Sequence, residues 1–303
     1  MSGTRISGAC LAIIGAMLLA GGPPAGVPSA FSAPPDGNPE IVRIAPASPV
    51  QGDTITVVVA PRVPSTVRVR FDGTDVRVYA LADGTHRGLI GTDPTIASGA
   101  HTVSVTLAGA GQPPVQVSRT VKIKSGQFGK RTIVMSPSTF SLISADNAAI
   151  ERRALGPALG RRTATAMWTG AFLLPSDGLM DSPYGLESMY NGHRMWWHQG
   201  ADFAAPEGSP VIAANAGMVV LAQGLPLGGN TVVIDHGQGV LTEYLHLSTM
   251  VVHPGERVDR GALIARIGAT GLVTGPSLHW GLYVNGTWVN PLFWTESRPD
   301  LTP

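Results

Sequence analysis

His198, Asp202 and His279 are the residue types that hold a catalytic metal ion. A zinc ion that does chemistry takes three protein ligands and keeps a fourth position open, and two imidazoles with one carboxylate supply that set. Asp202 follows His198 by four residues, so one short loop or strand end can present both side chains to a single ion. His279 must be brought in by tertiary folding. An ion so bound keeps net positive charge, lowers the pKa of bound water toward ~7 and polarises a carbonyl, which is the chemistry of hydrolysis.

The elements that must position these groups read as strands. Thr242-Glu-Tyr244-Leu-His246-Leu247 alternates, and alternation places Thr242, Tyr244 and His246 on one face. The same period puts Ser277 and His279 together and turns Trp280 away, so His246, Ser277 and His279 are expected to line one groove. Six of the eight histidines (193, 198, 236, 246, 253 and 279) fall in the last two-fifths of the chain. A single histidine is more often a surface or hydrogen-bonded core residue than a ligand; the ordered set carries the argument.

These residues sit in a series of motifs. His198-x-Gly-x-Asp202, Pro206-Glu-Gly-Ser-Pro-Val211, Val233-Ile-Asp-His236-Gly-Gln-Gly239, Tyr244-Leu-His246-Leu247, Val258-x-x-Gly261, Gly268-Ala-Thr-Gly271 and Thr274-Gly-Pro-x-Leu-His279 follow one another in order. Together they resemble the lysostaphin-like, LytM-type zinc metalloendopeptidases of the bacterial cell wall, from about Asp181 to about Trp294. The resemblance implies an antiparallel β peptidase domain of the duplicated hybrid motif kind, with a groove over zinc and peptidoglycan peptides as substrate. It implies His198, Asp202 and His279 as zinc ligands and His246 as a catalytic residue. Tyr244 would assist in positioning substrate, with a packing role as the equal alternative. One position departs: the family has His-x-His where this chain has Ser277-Leu-His279, so Ser277 replaces a catalytic histidine. A serine hydroxyl donates a hydrogen bond but does not act as a base near neutral pH.

The chain has 303 residues, and its 38 Gly and 25 Pro favour turns and β structure over helices. A net charge of +1, with no basic stripe, gives no reason to expect a nucleic acid partner. Residues 1–33 read as a secretory signal, with Arg5, an apolar run Ala9 to Ala20 and small residues before Ala30 or Ala33. That run is about half the ~20 residues of a spanning helix, so no stable membrane span is expected. Export to the periplasm, cell envelope or exterior follows. Cys10 is the one cysteine and falls in the signal, which leaves His and Asp as metal ligands.

The expected architecture is all-β. Residues 38–125 alternate over Thr54–Val59, Val67–Phe71, Thr102–Leu107 and Val115–Ile123, with Asp72-Gly73 as a tight hairpin turn. An immunoglobulin-like β-sandwich fits this spacing. His86 and His101 are isolated in it and expected at the surface. Residues 126–168 form a connector with a helix from Asp146, as its N-cap, to Leu155, stopped by Gly156-Pro157. The cluster Arg152, Arg153, Arg161 and Arg162 reads as a solvated helix face. Residues 169–303 form the peptidase domain, entered by Met180-Asp-Ser-Pro-Tyr-Gly185, which resembles the family's Ser-Pro-Phe/Tyr-Gly turn.

A second reading competes. The fold also occurs in degenerate relatives that bind peptidoglycan or activate other wall hydrolases, and Ser277 argues for it while the complete ligand set argues against. A biotinyl or lipoyl carrier module needs a hairpin lysine, and none occurs after Thr169. A serine hydrolase on Ser277 lacks the Gly-x-Ser-x-Gly turn.

Overall fold

Alternating apolar residues in the first half build two facing antiparallel sheets. The computed structural model describes residues 42–297 apart from Gln112; the expected signal segment and Cys10 lie outside the described residues. One sheet runs in the order Val42–Ala45, Thr54–Val59, His86–Gly91, Val78–Ala80, the other Thr74–Val76, Ser65–Phe71, Gly99–Gly109, Val115–Ile123. Ile55, Val57 and Val59 from the first sheet meet Val69, Val103, Val105 and Val121 from the second in one core. Asp72 and Gly73 turn between strands with φ of 46° and 80°, as a tight hairpin requires. His101 is not at the surface. It is 8% exposed and held by Asp72 and by the Ala97 carbonyl at 2.6 and 2.7 Å.

The outer face of the first sheet is buried as well, against the carboxyl-terminal domain. Arg87 donates to Gln238 Oε1 at 2.5 and 3.0 Å, and its guanidinium lies 5.0 Å from the Trp168 ring centre. Trp294 Nε1 donates to the Thr54 hydroxyl at 3.0 Å, and Asn285 Nδ2 to the Leu89 carbonyl at 2.8 Å. Gly91 leaves room for this contact: a Cβ there would lie 2.9 Å from Thr287.

The second domain is a ten-stranded sheet whose pairings are all antiparallel. Leu179–Ser182, Gly200–Ala204, Ser277–Val284, Val240–Met250, Gly229–Gly237, Gly217–Leu225 and Arg257–Val258 are successive neighbours along it. Its core holds Phe203, Val232, Ile234, Tyr244, Leu278 and Trp280. Residues before Thr169 join this packing: Trp168 is 1% exposed, and Met167 N donates to the His236 carbonyl at 2.7 Å.

The connector is structural rather than a tether. Lys130–Ile133 pairs in parallel with Glu187–Tyr190, which in turn pairs with His193–Trp197. The helix spans Ala145–Leu159, and its N-cap is Ser144, whose hydroxyl accepts from Asn147 N at 3.1 Å. Asp146 lies inside the first turn, a favourable place for an acidic side chain. Pro157 does not stop the helix, because it falls within the last turn where few backbone bonds remain to be lost. Ala158 packs with Leu221, Val233, Leu241 and Tyr283, while Arg152 and Arg153 are exposed. Among the described residues no helix is long and apolar enough to cross a membrane.

Candidate metal centre

Cross-strand pairing brings the three predicted ligands together. Asp202 on Gly200–Ala204 stands directly opposite His279 on Ser277–Val284. His198 enters just ahead of the first of these strands, its N–H donating to the Leu186 carbonyl at 2.8 Å. Close approach requires Gly200: a Cβ there would lie 2.3 Å from the Trp280 carbonyl and 2.7 Å from His279 Nε2.

His198 Nε2, His279 Nδ1 and Asp202 Oδ1 then converge. The two nitrogens are 3.1 Å apart, and Asp202 Oδ1 is 2.9 Å from the first and 2.8 Å from the second. His198 Nδ1 is 2.8 Å from the Pro183 carbonyl; a carbonyl only accepts, so that nitrogen carries the proton and Nε2 presents its lone pair inward. Two inward nitrogens and a carboxylate form the donor set of an open zinc site. The outer oxygen of Asp202 accepts from Arg131 Nη1 at 3.2 Å, and the same guanidinium binds Ser182 and Ser188.

Charge follows this geometry. Burial pulls His198 below the usual imidazole range. Burial also opposes the charge on His279, but bonding to Asp202 and the nearby carboxylates outweigh it and the net shift is upward. Asp202 resists burial because both histidines bond to it, which holds it well below the usual carboxylate range.

The ligands open onto a cavity of about 600 Å³. His246 and Ser277 line it, as the strand period predicts for Ser277, and the His246 ring centre lies 6.4 Å from that of His279. Ser277 is half-buried, with its hydroxyl donating to the Phe203 carbonyl at 3.3 Å. Burial pushes His246 down to about 4, with His279 adding to the shift.

Tyr244 does not share the groove. Its side chain is fully buried in the core, and its hydroxyl accepts from Ala214 N at 2.9 Å. The reason is a break in the strand period at His246, which has φ of 65°. Across from it the register slips between Asn230 and Val232, the mark of a bulge. Glu243 and Leu245 therefore face the cavity, Thr242 and Tyr244 face the core, and the bulge turns His246 back to the cavity.

The remaining candidates sort by burial. His236 is fully buried, with Nδ1 bonded to the Ala216 carbonyl and Nε2 to the Thr242 hydroxyl, both at 2.8 Å. His193 and His253 are exposed. Trp196 borders the cavity, Trp197 packs on Phe128, and Trp280 lies in the core, facing away from the ligands. Sequence reasoning did not find Glu243, nor Arg131, Glu151 and Leu155, which bring the connector into the cavity wall. Glu243 had a signal, a lone acid in an apolar strand; the connector residues had none.

Residues 197–291 match the profile of peptidase family M23. The chain is similar to the peptidoglycan DD-endopeptidase ShyA of Vibrio cholerae, with 48% identity over 95 residues, 31% of this chain and 22% of that one. It is also similar to the DD-carboxypeptidase/endopeptidase Mpg of Neisseria meningitidis, with 38% identity over 123 residues, 41% of this chain and 28% of that one. The chain thus spans about a quarter of the length of these relatives. A crystal structure from Pseudomonas aeruginosa assigned to peptidase M23 superposes with a TM-score of 0.60 and 25% identity, covering 82% of this chain and 96% of that one. His198, Asp202, His246, Ser277 and His279 all fall inside the matched stretch, and residues 197–291 of this chain carry the peptidase family M23 match, of the LytM type.

Proposed function

We propose that the chain is an exported zinc metalloendopeptidase that hydrolyses peptide bonds in the stem or cross-link peptides of peptidoglycan, in the periplasm or elsewhere in the cell envelope. The observation that carries this reading is the convergence of His198, Asp202 and His279 beside His246 on one cavity. The names of the relatives support the substrate class.

Zinc held by these three residues would supply a Lewis acid for the scissile carbonyl and an activated water. The chain's own residues do the rest. His246 keeps its Nδ1 proton on the Thr270 carbonyl at 2.9 Å, which leaves Nε2 as the acceptor for a proton from the attacking water. Being pushed down to about 4, the ring is neutral at neutral pH, the form in which Nε2 has a lone pair to accept a proton. Arg131 holds the outer oxygen of Asp202 and so keeps its inner oxygen turned to the other two ligands. The connector wall confines the substrate peptide to the cavity.

Ser277 favours a second reading, a weakened domain that binds peptidoglycan or regulates another hydrolase. Losing one acid/base group typically costs ~10²–10⁴ in rate. Digestion of purified peptidoglycan by the zinc-loaded protein, with released fragments read by mass spectrometry, separates the two. Chelator-sensitive cleavage supports the enzyme. No product from the wild type, with product from Ser277→His, leaves the binder or regulator.

A further inference from the structure

We infer that Glu243 is a positioning residue for the metal centre, acting on His279 from the side of the ring that faces away from the ion. This rests on the zinc site proposed above and adds a residue to it.

The two histidine ligands differ in what stands behind them. His198 presents Nε2 to the site and donates Nδ1–H to the Pro183 carbonyl at 2.8 Å. His279 presents Nδ1, so a metal there fixes its proton on Nε2, and that proton needs an acceptor. The carboxylate of Glu243 faces it, with Oε1 at 3.8 Å. That is longer than a hydrogen bond, which spans about 2.7–3.2 Å. With its proton fixed on Nε2, the ring has this carboxylate beside that N–H.

Glu243 is otherwise hard to account for. It is 3% exposed, and burying a carboxylate is costly unless it is bonded. The fold accommodates it nonetheless. Gly281 stands opposite in the neighbouring strand, where a Cβ would lie 2.7 Å from Oε1. Tyr283, two residues on, donates its hydroxyl to the same oxygen at 3.1 Å. A space cleared by glycine, a tyrosine clamp and an imidazole in front describe a carboxylate held for the histidine. Such outer partners orient the ring, raise its basicity as a ligand and add negative charge near the cation.

The test is zinc affinity of the full chain, measured by competition with a chromogenic chelator, together with thermal unfolding of the zinc-stripped proteins. Glu243→Ala is expected to bind zinc ~10–100-fold more weakly than wild type. Glu243→Gln keeps an acceptor without the charge and should fall between the two. Tyr283→Phe leaves the carboxylate in place and should lose less than Glu243→Gln. Zinc affinity in Glu243→Gln within a factor of about 3 of wild type would overturn the inference, since disabling the partner of a metal-bound histidine costs ~10-fold or more, and this variant decides the matter if Glu243→Ala fails to fold. A wild type that binds no zinc would overturn both this inference and the metal site beneath it, whereas unaltered affinity in the variants leaves that site standing.

Discussion

His246 Nδ1 and the Thr270 carbonyl lie 2.9 Å apart, and this contact decides which ring nitrogen is available for chemistry. Because the carbonyl can only accept, Nε2 is the basic atom. Replacement by Asn retains a residue that tolerates positive φ, as position 246 requires. His246→Asn is expected to lower kcat by ~10²–10⁴ and to leave zinc affinity unchanged, because His246 is not among the converging ligands. Kinetics on peptidoglycan fragments beside chelator competition checks both halves; a loss of zinc would make His246 a ligand instead.

The Ser277 hydroxyl is engaged with the Phe203 carbonyl at 3.3 Å, which commits its proton to the backbone. Ser277→Ala should therefore change kcat by less than the ~10²–10³ expected for removal of a transition-state donor. Ser277→His restores a group able to donate or accept at this position and should raise kcat. Equal rates in all three proteins would show that this position does not touch the reaction.

Much of the site was legible because its residues are short-range or face-specific. Thr54–Val59 and Val115–Ile123 appear as strands with the bounds their alternation predicts. Ser277, His279 and Trp280 keep the strand period, so their faces follow from their order alone. Tyr244 failed this rule because two residues further on, the left-handed backbone of His246 inserts an extra position. Positive φ is uncommon in any residue but glycine, histidine included, so nothing in the sequence announces it. The connector's share of the cavity was invisible for another reason: Arg131 and Glu151 reach it only through the parallel pairing of Lys130–Ile133 and the packing of the helix. His101 was misjudged because its partner, Asp72, lies 29 residues away.

Arg87 couples the sandwich to the peptidase domain. It is 1% exposed, and burial lowers its pKa to about 10, so its charge survives at neutral pH. Arg87→Ala strips Gln238 Oε1 of its donor and the Trp168 face of its cation. A loss of about 1.5–3 kcal/mol is expected, the range for hydrogen bonds to charged groups. Urea unfolding followed by tryptophan fluorescence measures it. Unchanged stability would mean that the remaining contacts between the two domains, Trp294 to Thr54 and Asn285 to Leu89 among them, hold them without Arg87.

Stability should fall in mild acid, and His236 supplies a separable part of the fall. Burial lowers its pKa from 6.5 to about 4, and both ring nitrogens are already bonded in the neutral form. Below the unfolded value the denatured chain takes up a proton that the folded chain refuses, so unfolding gains as pH drops. Stability from this group is complete above pH 6.5, declines as pH falls toward about 4, and is flat below that. The gap corresponds to roughly 3 kcal/mol. His246, depressed to the same value, contributes over the same window, so the wild type carries both. His236→Gln abolishes one contribution while leaving the other, and its unfolding free energy should depend less steeply on pH. Urea titrations of zinc-stripped wild type and variant between about pH 7.5 and pH 4 measure the two slopes. Parallel curves would mean that His236 takes up its proton as readily in the folded protein as in the unfolded chain, with Ala216 and Thr242 unable to keep it neutral.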